Sequence, residues 1–235
     1  MKKLFCLIAI LAPFILLTSC QKDTHVYSST GSWMIFVYGC TPHLSGTINM
    51  KEYGNNVTSL QGDGTSLISE TGFVPCGNNL KLSWWRSGAK DTLLDSISAT
   101  LVNDGTYSVF LGGPASSPCF LFAANDSTLP DSGFVHVRFV NLSSDNYNFN
   151  CYYDSLKIDS GITYKTITTY FQIPVNQLAR IRFTDRSDTT VTAELDSVSL
   201  VPVGHYTIVL GGNHGSADFG LTVKVIFENI TIPFL

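Results

Sequence analysis

Charged residues are scarce in this sequence of 235 residues: Asp, Glu, Lys and Arg make up only 14%, and the formal net charge is −4. Disordered chains combine high net charge with low hydrophobicity, whereas 44% of these residues are hydrophobic. The composition therefore excludes intrinsic disorder. Because basic residues are not in excess, the chain also lacks the surface that binds nucleic-acid phosphates, and we expect no nucleic-acid partner.

Catalytic motifs are missing as well. The sequence has no Gly-x-Ser-x-Gly elbow and no Walker loop, and most Asp residues stand in Asp-Ser, Asp-Thr or Asp-Gly steps that form turns. No histidine has another His, Cys or Glu at metal-ligand spacing; the histidines are His25, His43, His136, His205 and His214. We therefore expect no enzyme, no cofactor and no metal site, with a glycan-acting hydrolase that uses two carboxylates as the less favoured alternative.

The first 20 residues have the pattern of a secretion signal. Two lysines precede an apolar run over residues 4–17, which is shorter than the roughly 20 residues of a membrane span. The segment Leu17-Thr18-Ser19-Cys20 resembles the lipobox of bacterial lipoproteins. This resemblance implies cleavage before Cys20 and acylation of that cysteine by chains such as palmitate, which would hold the protein on a membrane. An ordinary signal peptide with a chance cysteine is the alternative.

The residues after the anchor indicate a location. Gln21-Lys22-Asp23 resembles the tag that directs some Gram-negative lipoproteins to the outer face of the cell. We expect a lipid anchor in the outer membrane and exposure on the cell surface, although the sequence leaves the leaflet open.

Alternating hydrophobicity predicts an all-β chain beyond residue 32. The segments 33–38, 135–140 and 206–210 all have the pattern of strands. Clusters of Gly, Asn, Asp and Ser separate such segments at short intervals, as in a β-sandwich.

An internal repeat divides this β region into two. Tyr107–Gly113 recurs as Tyr206–Gly212, which is 99 residues later, and Asp95–Ser98 recurs as Asp196–Ser199. At the start of the repeat, an offset of 102 aligns Trp33, Ile35 and Val37 with Val135, Val137 and Phe139. We therefore predict a signal peptide at 1–19, a lipidated cysteine with a tether at 20–32, and β-sandwich domains at 33–125 and 133–235.

The repeat also predicts which face of each strand is buried, because successive residues of a strand point to opposite faces. The predicted core residues are Leu80, Leu82 and Trp84 in the first domain and Ala179, Ile181 and Phe183 in the second. On the strand at 135–140, His136 and Arg138 are expected to face water, opposite the apolar residues.

Several segments of the second domain resemble a known family. They are Val135–Asn141, Leu142–Asp145, Tyr152–Asp154, Pro174 and Tyr206–Gly212, and the family is the domain of unknown function DUF4397. The resemblance covers about 134–228 well and 33–123 more loosely. It implies an immunoglobulin-like sandwich in a lipid-anchored, extracytoplasmic, often tandem protein, and it brings no catalytic residue.

Two kinds of surface site are expected. Trp85 and Arg86 lie at a strand end, where an exposed tryptophan can stack on a sugar or contact a partner protein. The alternative is that a loop or the other domain covers Trp85.

Six Asp-Ser or Asp-Thr triplets resemble the O-glycosylation sequon of some Gram-negative envelope proteins. The candidate modified residues are Thr92, Ser96, Ser127, Ser155, Thr189 and Ser197.

Four cysteines remain besides Cys20 in the mature chain: Cys40, Cys76, Cys119 and Cys151. In an oxidising compartment they allow three connectivities, and buried free thiols are nearly as plausible. If one bridge exists, we expect it between Cys40 and Cys76.

The function predicted from these observations is non-catalytic. The chain is expected to contact a glycan or an envelope protein from its membrane anchor. The structural alternative is a spacer or subunit of an envelope assembly.

Overall fold

The computed structural model describes residues 31–38, 46–52, 55–62, 68–114, 116–145, 147–214, 216 and 220–228. Every helix or strand in these residues is a β-strand, so the predicted all-β class is confirmed. None of the described residues belongs to a helix that could cross a membrane. The predicted signal peptide, Cys20 and almost all of the tether lie outside the described residues.

The strands fall into two consecutive groups. The first group comprises β1 (Gly31–Tyr38), β2 (Gly46–Glu52), β3 (Asn55–Gly62), β4 (Ile68–Pro75), β5 (Gly77–Arg86), β6 (Thr92–Leu101), β7 (Thr106–Gly112) and β8 (Cys119–Ala124). The second group comprises β9 (Phe134–Asn141), β10 (Phe149–Tyr153), β11 (Leu156–Ile162), β12 (Thr166–Ile167), β13 (Phe171–Pro174), β14 (Ala179–Asp185), β15 (Thr192–Val198), β16 (His205–Gly211) and β17 (Thr222–Phe227).

Each group forms two sheets with a core between them. In the first group the sheet orders are β4-β1-β7-β8 and β3-β2-β5-β6. The second group has the matching orders β12-β9-β16-β17, with β13 also paired to β9, and β11-β10-β14-β15. In both groups the first strand pairs in parallel with the last but one, and the other pairings are antiparallel. We call these groups the first and second sandwich units.

The alternation within strands places the predicted core residues correctly. Leu82 and Trp84 are fully buried in the first unit, and the Trp84 ring packs edge-on against the rings of Phe36 and Phe120. Ile181 and Phe183 are fully buried in the second unit. Each unit therefore closes its own hydrophobic core between two sheets.

The repeat offset predicted for the first strand is wrong by one residue. Phe36 pairs with Val109, and Phe139 pairs with Ile208, so Phe139 is the equivalent of Phe36 at an offset of 103. Because side chains alternate, a one-residue slip exchanges the two faces of a strand. Phe36 thus faces the core of its unit, and Ile35 faces the opposite side.

A tyrosine near the start of β7 and of β16 shows that the units are built alike. The Tyr107 hydroxyl accepts a hydrogen bond from the N–H of Val102 at 3.0 Å, and the Tyr206 hydroxyl accepts one from Val201 at 2.7 Å. Gly105 and Gly204 stand two residues before these tyrosines, where a Cβ would lie 2.8 or 2.7 Å from a tyrosine ring carbon. These glycines let each ring fold back over its turn.

We predict that Tyr107→Phe and Tyr206→Phe each lower the free energy of unfolding by about 1 kcal/mol, because each removes one partly buried hydrogen bond and keeps the ring. Urea denaturation of the purified protein measures this change. Tyr152→Phe is the matched control, since its hydroxyl has no hydrogen bond to the described residues. Equal stability of all three variants would contradict the prediction.

Candidate functional site at the junction of the two units

The two units pack against each other through apolar side chains. β1, β7 and β8 contribute Ile35, Val37, Phe110 and Cys119, with Leu121 partly buried beside them. The second unit contributes Val140, Leu142, Val209 and Ile226, with Tyr164 and Ile167 partly buried. β1 and β9 are therefore buried on both faces, and the described parts of the units form a stack of four sheets.

Arg138 lies at the edge of this apolar contact and is only 1% exposed. Its Nη2 lies 2.7 Å from Glu228 Oε1, and its Nε donates to Thr207 Oγ1 at 2.7 Å. From the first unit, Ala124 O accepts from Nη1 at 3.0 Å and Asn125 Oδ1 accepts from Nη2 at 2.7 Å. One guanidinium group thus joins the end of β8 to the second unit.

The prediction that Arg138 faces water is wrong. It does leave the core of its own unit, as the alternation requires, but the face it occupies is covered by the first unit. The rings of Tyr170 and Phe110 flank the guanidinium, with centroids 4.9 and 5.9 Å from Cζ. Hydrophobic alternation distinguishes the two faces of a strand, and it does not reveal that a second domain covers the outer one.

The partners of Arg138 occupy equivalent places in the two units. Ser108 donates to Asn125 in the first unit at 2.8 Å, and Thr207 donates to Glu228 in the second. Ser108 and Thr207 are 99 residues apart, at the offset of the repeat. The guanidinium therefore sits between two versions of the same hydrogen-bonded pair.

Tyr170 closes this network on the second unit. Its hydroxyl donates a hydrogen bond to Glu228 Oε2. Burial, reinforced by the negative charge of Glu228, raises the pKa of Tyr170 above its ordinary value. Tyr170 is thus a neutral hydrogen-bond donor at physiological pH.

A histidine cluster lies next to the arginine network. His136 and His205 face each other across β9 and β16 as register partners, and their rings are edge-to-face with centroids 5.2 Å apart. Asp126 Oδ2, from the segment between the units, lies 3.0 Å from His136 Nδ1. The expectation that His136 faces water is wrong, because its side chain is 14% exposed.

The carboxylate of Asp126 is oriented by its own turn. The N–H and hydroxyl of Thr128 donate to Asp126 Oδ1 at 2.9 and 2.8 Å. Burial alone would raise the pKa of Asp126, but these hydrogen bonds and the nearby His136 and His205 hold it below the ordinary value. The group is therefore ionised at neutral pH.

Sequence reasoning missed this cluster because its members are not close in sequence. Asp126, His136 and His205 come from three elements, and their ligand atoms lie within 4.8 Å of one another. The repeat relates β9 to β1 and β16 to β7, so it gives no signal that β9 pairs with β16 and brings His136 beside His205.

Trp85 lies on the outer face of the first unit, away from the junction. Its Nε1 donates to Ser83 Oγ at 2.8 Å, and Lys51 Nζ lies 5.0 Å from the ring centroid. Trp85 and Arg86 are both half-buried. Among the described residues, Lys51 of the same sheet thus lies over the Trp85 ring. A role of Trp85 and Arg86 in binding stays a prediction.

The candidate glycosylation positions are accessible to different degrees. Ser96 is half-buried, whereas five are exposed: Thr92, Ser127, Ser155, Thr189 and Ser197. Several aspartates of these triplets already have structural roles, since Asp126 and Asp188 each accept hydrogen bonds from a threonine two residues later. Such turns account for part of the excess of triplets, and modification stays a prediction.

The cysteines within the described residues have free thiols. Cys76 is half-buried, and Cys119 and Cys151 are buried. Cys40 lies outside the described residues, so its pairing with Cys76 stays a prediction. Burial raises the pKa of the Cys119 and Cys151 thiols, which makes both poor nucleophiles.

Fold and junction together define an all-β protein made of two joined sandwich units. Residues 135–226 match the family model described as "Domain of unknown function (DUF4397)", which confirms the resemblance of the second unit to that family. No curated protein matches the chain. A solved structure of a proposed cell adhesion protein from Bacteroides uniformis ATCC 8492 is 11% identical, over 83% of this chain and 98% of that chain, with a TM-score of 0.24.

We predict that Arg138→Met lowers the free energy of unfolding by about 3–5 kcal/mol, because it leaves Glu228 buried without its positive partner. Arg180→Met is the matched control. The pair that Arg180 forms with Asp196 is about half exposed, so its loss should change the stability far less than the loss of Arg138. Urea denaturation measures both values, and equal values for the two variants would contradict a junction that depends on Arg138.

Proposed function

We propose that this chain is a lipid-anchored envelope protein that presents two joined β-sandwiches as a non-catalytic binding module on the outer membrane. Its partner is a glycan or another envelope protein. The observation that carries the proposal is the junction, where Arg138 and the apolar contact connect the units through buried groups. A connection of this kind suits a module that holds a binding surface at a defined distance from its anchor.

The anchor part of the proposal rests on the lipobox-like segment that ends at Cys20. Two or three acyl chains bind a bilayer far more strongly than the single chain whose attachment is reversible. The residues between Cys20 and the start of β1 at Gly31 would then separate the first unit from the membrane surface. In this arrangement the sandwiches meet partners only at the envelope.

We predict that Cys20→Ala abolishes both lipid labelling and membrane attachment, because the acyl chains have no other site of addition. Bacteria that express the full chain are fed an alkyne analogue of palmitate, and the label is measured in the purified protein and in the membrane fraction. Cys76→Ala is the control and should keep the label. Retention of label in the Cys20 variant would contradict the proposal.

The binding part of the proposal concerns the outer face that carries Trp85. Lys51 beside the ring, with Asp91 2.8 Å from its Nζ, gives this face an aromatic group, a cation and a carboxylate. Sugars and peptide segments are bound by such combinations of a flat apolar group with polar neighbours. Arg86 follows Trp85 at the end of β5 and is half-buried.

We predict that Trp85→Ala weakens binding about tenfold or more, as expected when a central aromatic contact is removed. The detergent-purified lipoprotein is tested on a glycan array and by pull-down from solubilised envelopes. Trp33→Ala, at the other half-buried tryptophan of this unit, is the matched control and should bind normally. If the wild-type chain binds nothing in either assay, the binding function is wrong and a spacer role takes its place.

A further inference from the structure

Trp33 and Phe73 form an apolar patch on the first unit, at the side of the junction. The two residues are register partners on β1 and β4, and their rings are edge-to-face with centroids 5.6 Å apart. Trp33 lies on the face of β1 that also carries Ile35 and Val37, which contact the second unit. Phe73 is nevertheless 46% exposed. The described residues therefore leave almost half of an aromatic residue uncovered next to an interface.

A near-twofold rotation relates the two units. Each unit turns the same sheet toward the other, and only a rotation of half a turn brings equivalent faces into opposition. Across a twofold axis, every contact has a reciprocal contact between the equivalent residues. Asn125 and Glu228 are equivalent, because each donates its backbone N–H to the carbonyl of the residue before a repeated tyrosine. Both also accept a hydrogen bond from Arg138 Nη2, so they lie beside this axis.

The segment that connects the units provides one half of such a reciprocal pair. Its Asp126 Oδ2 lies 3.0 Å from His136 Nδ1 of the second unit. Farther on, Asp131 accepts a hydrogen bond from Gln172 Nε2 at 2.8 Å and donates its N–H to Gln172 Oε1 at 3.3 Å. His136 and Gln172 are register partners on β9 and β13. The connecting segment thus holds one strand pair of the second unit through two polar contacts.

The corresponding strand pair of the first unit carries the apolar patch. The register of β1 and β9 makes Trp33 the equivalent of His136. Their partners on the neighbouring strands are Phe73 and Gln172, so these two residues are equivalent as well. The twofold relation therefore predicts that a segment of the second unit lies over Trp33 and Phe73.

The sequence after Glu228 supplies such a segment. Residues 229–235, which lie outside the described residues, read Asn-Ile-Thr-Ile-Pro-Phe-Leu, and they correspond to Asp-Ser-Thr-Leu-Pro-Asp-Ser at 126–132. The threonine and the proline coincide in this alignment. Phe234 stands in the place of Asp131, and its reciprocal partner is Phe73 in the place of Gln172. A polar pair on one side of the axis thus corresponds to an aromatic pair on the other.

We propose that residues 229–235 pack across the first unit, with Phe234 against Phe73 and Asn229 beside Trp33. The exposed part of Phe73 is then covered, and burial of two aromatic side chains stabilises the contact. The 229–235 segment and the connecting segment lie over opposite units. Each unit is therefore fastened to the other by a segment of chain as well as by the buried network of Arg138.

The exposure of Trp33 tests this contact independently of stability. The full-length lipoprotein in detergent carries Trp85→Phe, which leaves Trp33 and the fully buried Trp84 as fluorophores, and its fluorescence is quenched with acrylamide. Removal of residues 229–235 by a stop codon should raise the quenching constant and shift the emission to longer wavelength, because Trp33 loses its cover.

Two point variants accompany the shortened chain. Phe234→Ser keeps the chain length and should shift quenching in the same direction, so it serves if the shortened chain fails to fold, which circular dichroism reveals. Leu129→Ser is the matched control at an exposed position of the connecting segment and should leave quenching unchanged. A quenching constant that no change within residues 229–235 alters overturns the proposal.

A double-mutant cycle tests the pairing of the two phenylalanines. Phe73→Ala and Phe234→Ala are compared singly and together by urea denaturation. If the rings touch, the combined loss of stability is smaller than the sum of the single losses, because the second substitution removes a contact that the first has already broken. Phe73→Ala combined with Leu129→Ala is the control and should be additive. Additive losses for the phenylalanine pair overturn the proposal.

Discussion

The arrangement of the two units depends on one buried positive charge. A guanidinium removed from water is tolerated only where a carboxylate and further acceptors surround it. Arg138 meets this condition with Glu228 and Thr207 from its own unit and with Ala124 and Asn125 from the other. Because the guanidinium is planar and its N–H directions are fixed, these acceptors must hold definite places, and the orientation of β8 relative to β9 follows from them.

The junction also shows how two copies of one unit became different. The repeat places Ser108 and Asn125 of the first unit where the second has Thr207 and Glu228, so a neutral pair corresponds to an acidic one. The position equivalent to Arg138 is Ile35, which lies in the apolar part of the contact. One unit thus supplies the charge pair, and the other supplies apolar surface and neutral acceptors. Two identical units would bury two guanidinium groups and two carboxylates.

Within each unit the fold was predictable, and the contact between units was not. Alternation identified strands and core residues such as Trp84 and Phe183, because burial of one face leaves a period of two in the sequence. Arg138 and His136 keep that period and were therefore assigned to water. The burial of Arg138 depends on Glu228, 90 residues away, and on acceptors of the neighbouring unit. His136 instead contacts Asp126 of the connecting segment. Similarly, no local pattern distinguished offset 102 from 103 in the first strand, where residues of both faces are apolar.

The junction decides which surfaces remain for a partner. Sheets β4-β1-β7-β8 and β12-β9-β16-β17 cover each other, so among the described residues the outer faces belong to β3-β2-β5-β6 and β11-β10-β14-β15. Each outer face carries an aromatic ring beside a cation: Trp85 with Lys51 on the first, and Tyr152 with Arg182, 4.8 Å from the ring centroid, on the second. Since the register makes Lys51 and Ser83 equivalent to Tyr152 and Arg182, these pairs occupy corresponding regions on opposite ends of the four-sheet stack. Each outer face therefore offers a partner an aromatic ring beside a cation, but the residues that supply them differ between the two faces. This arrangement favours two separate contacts, one on each outer face, over one shared groove.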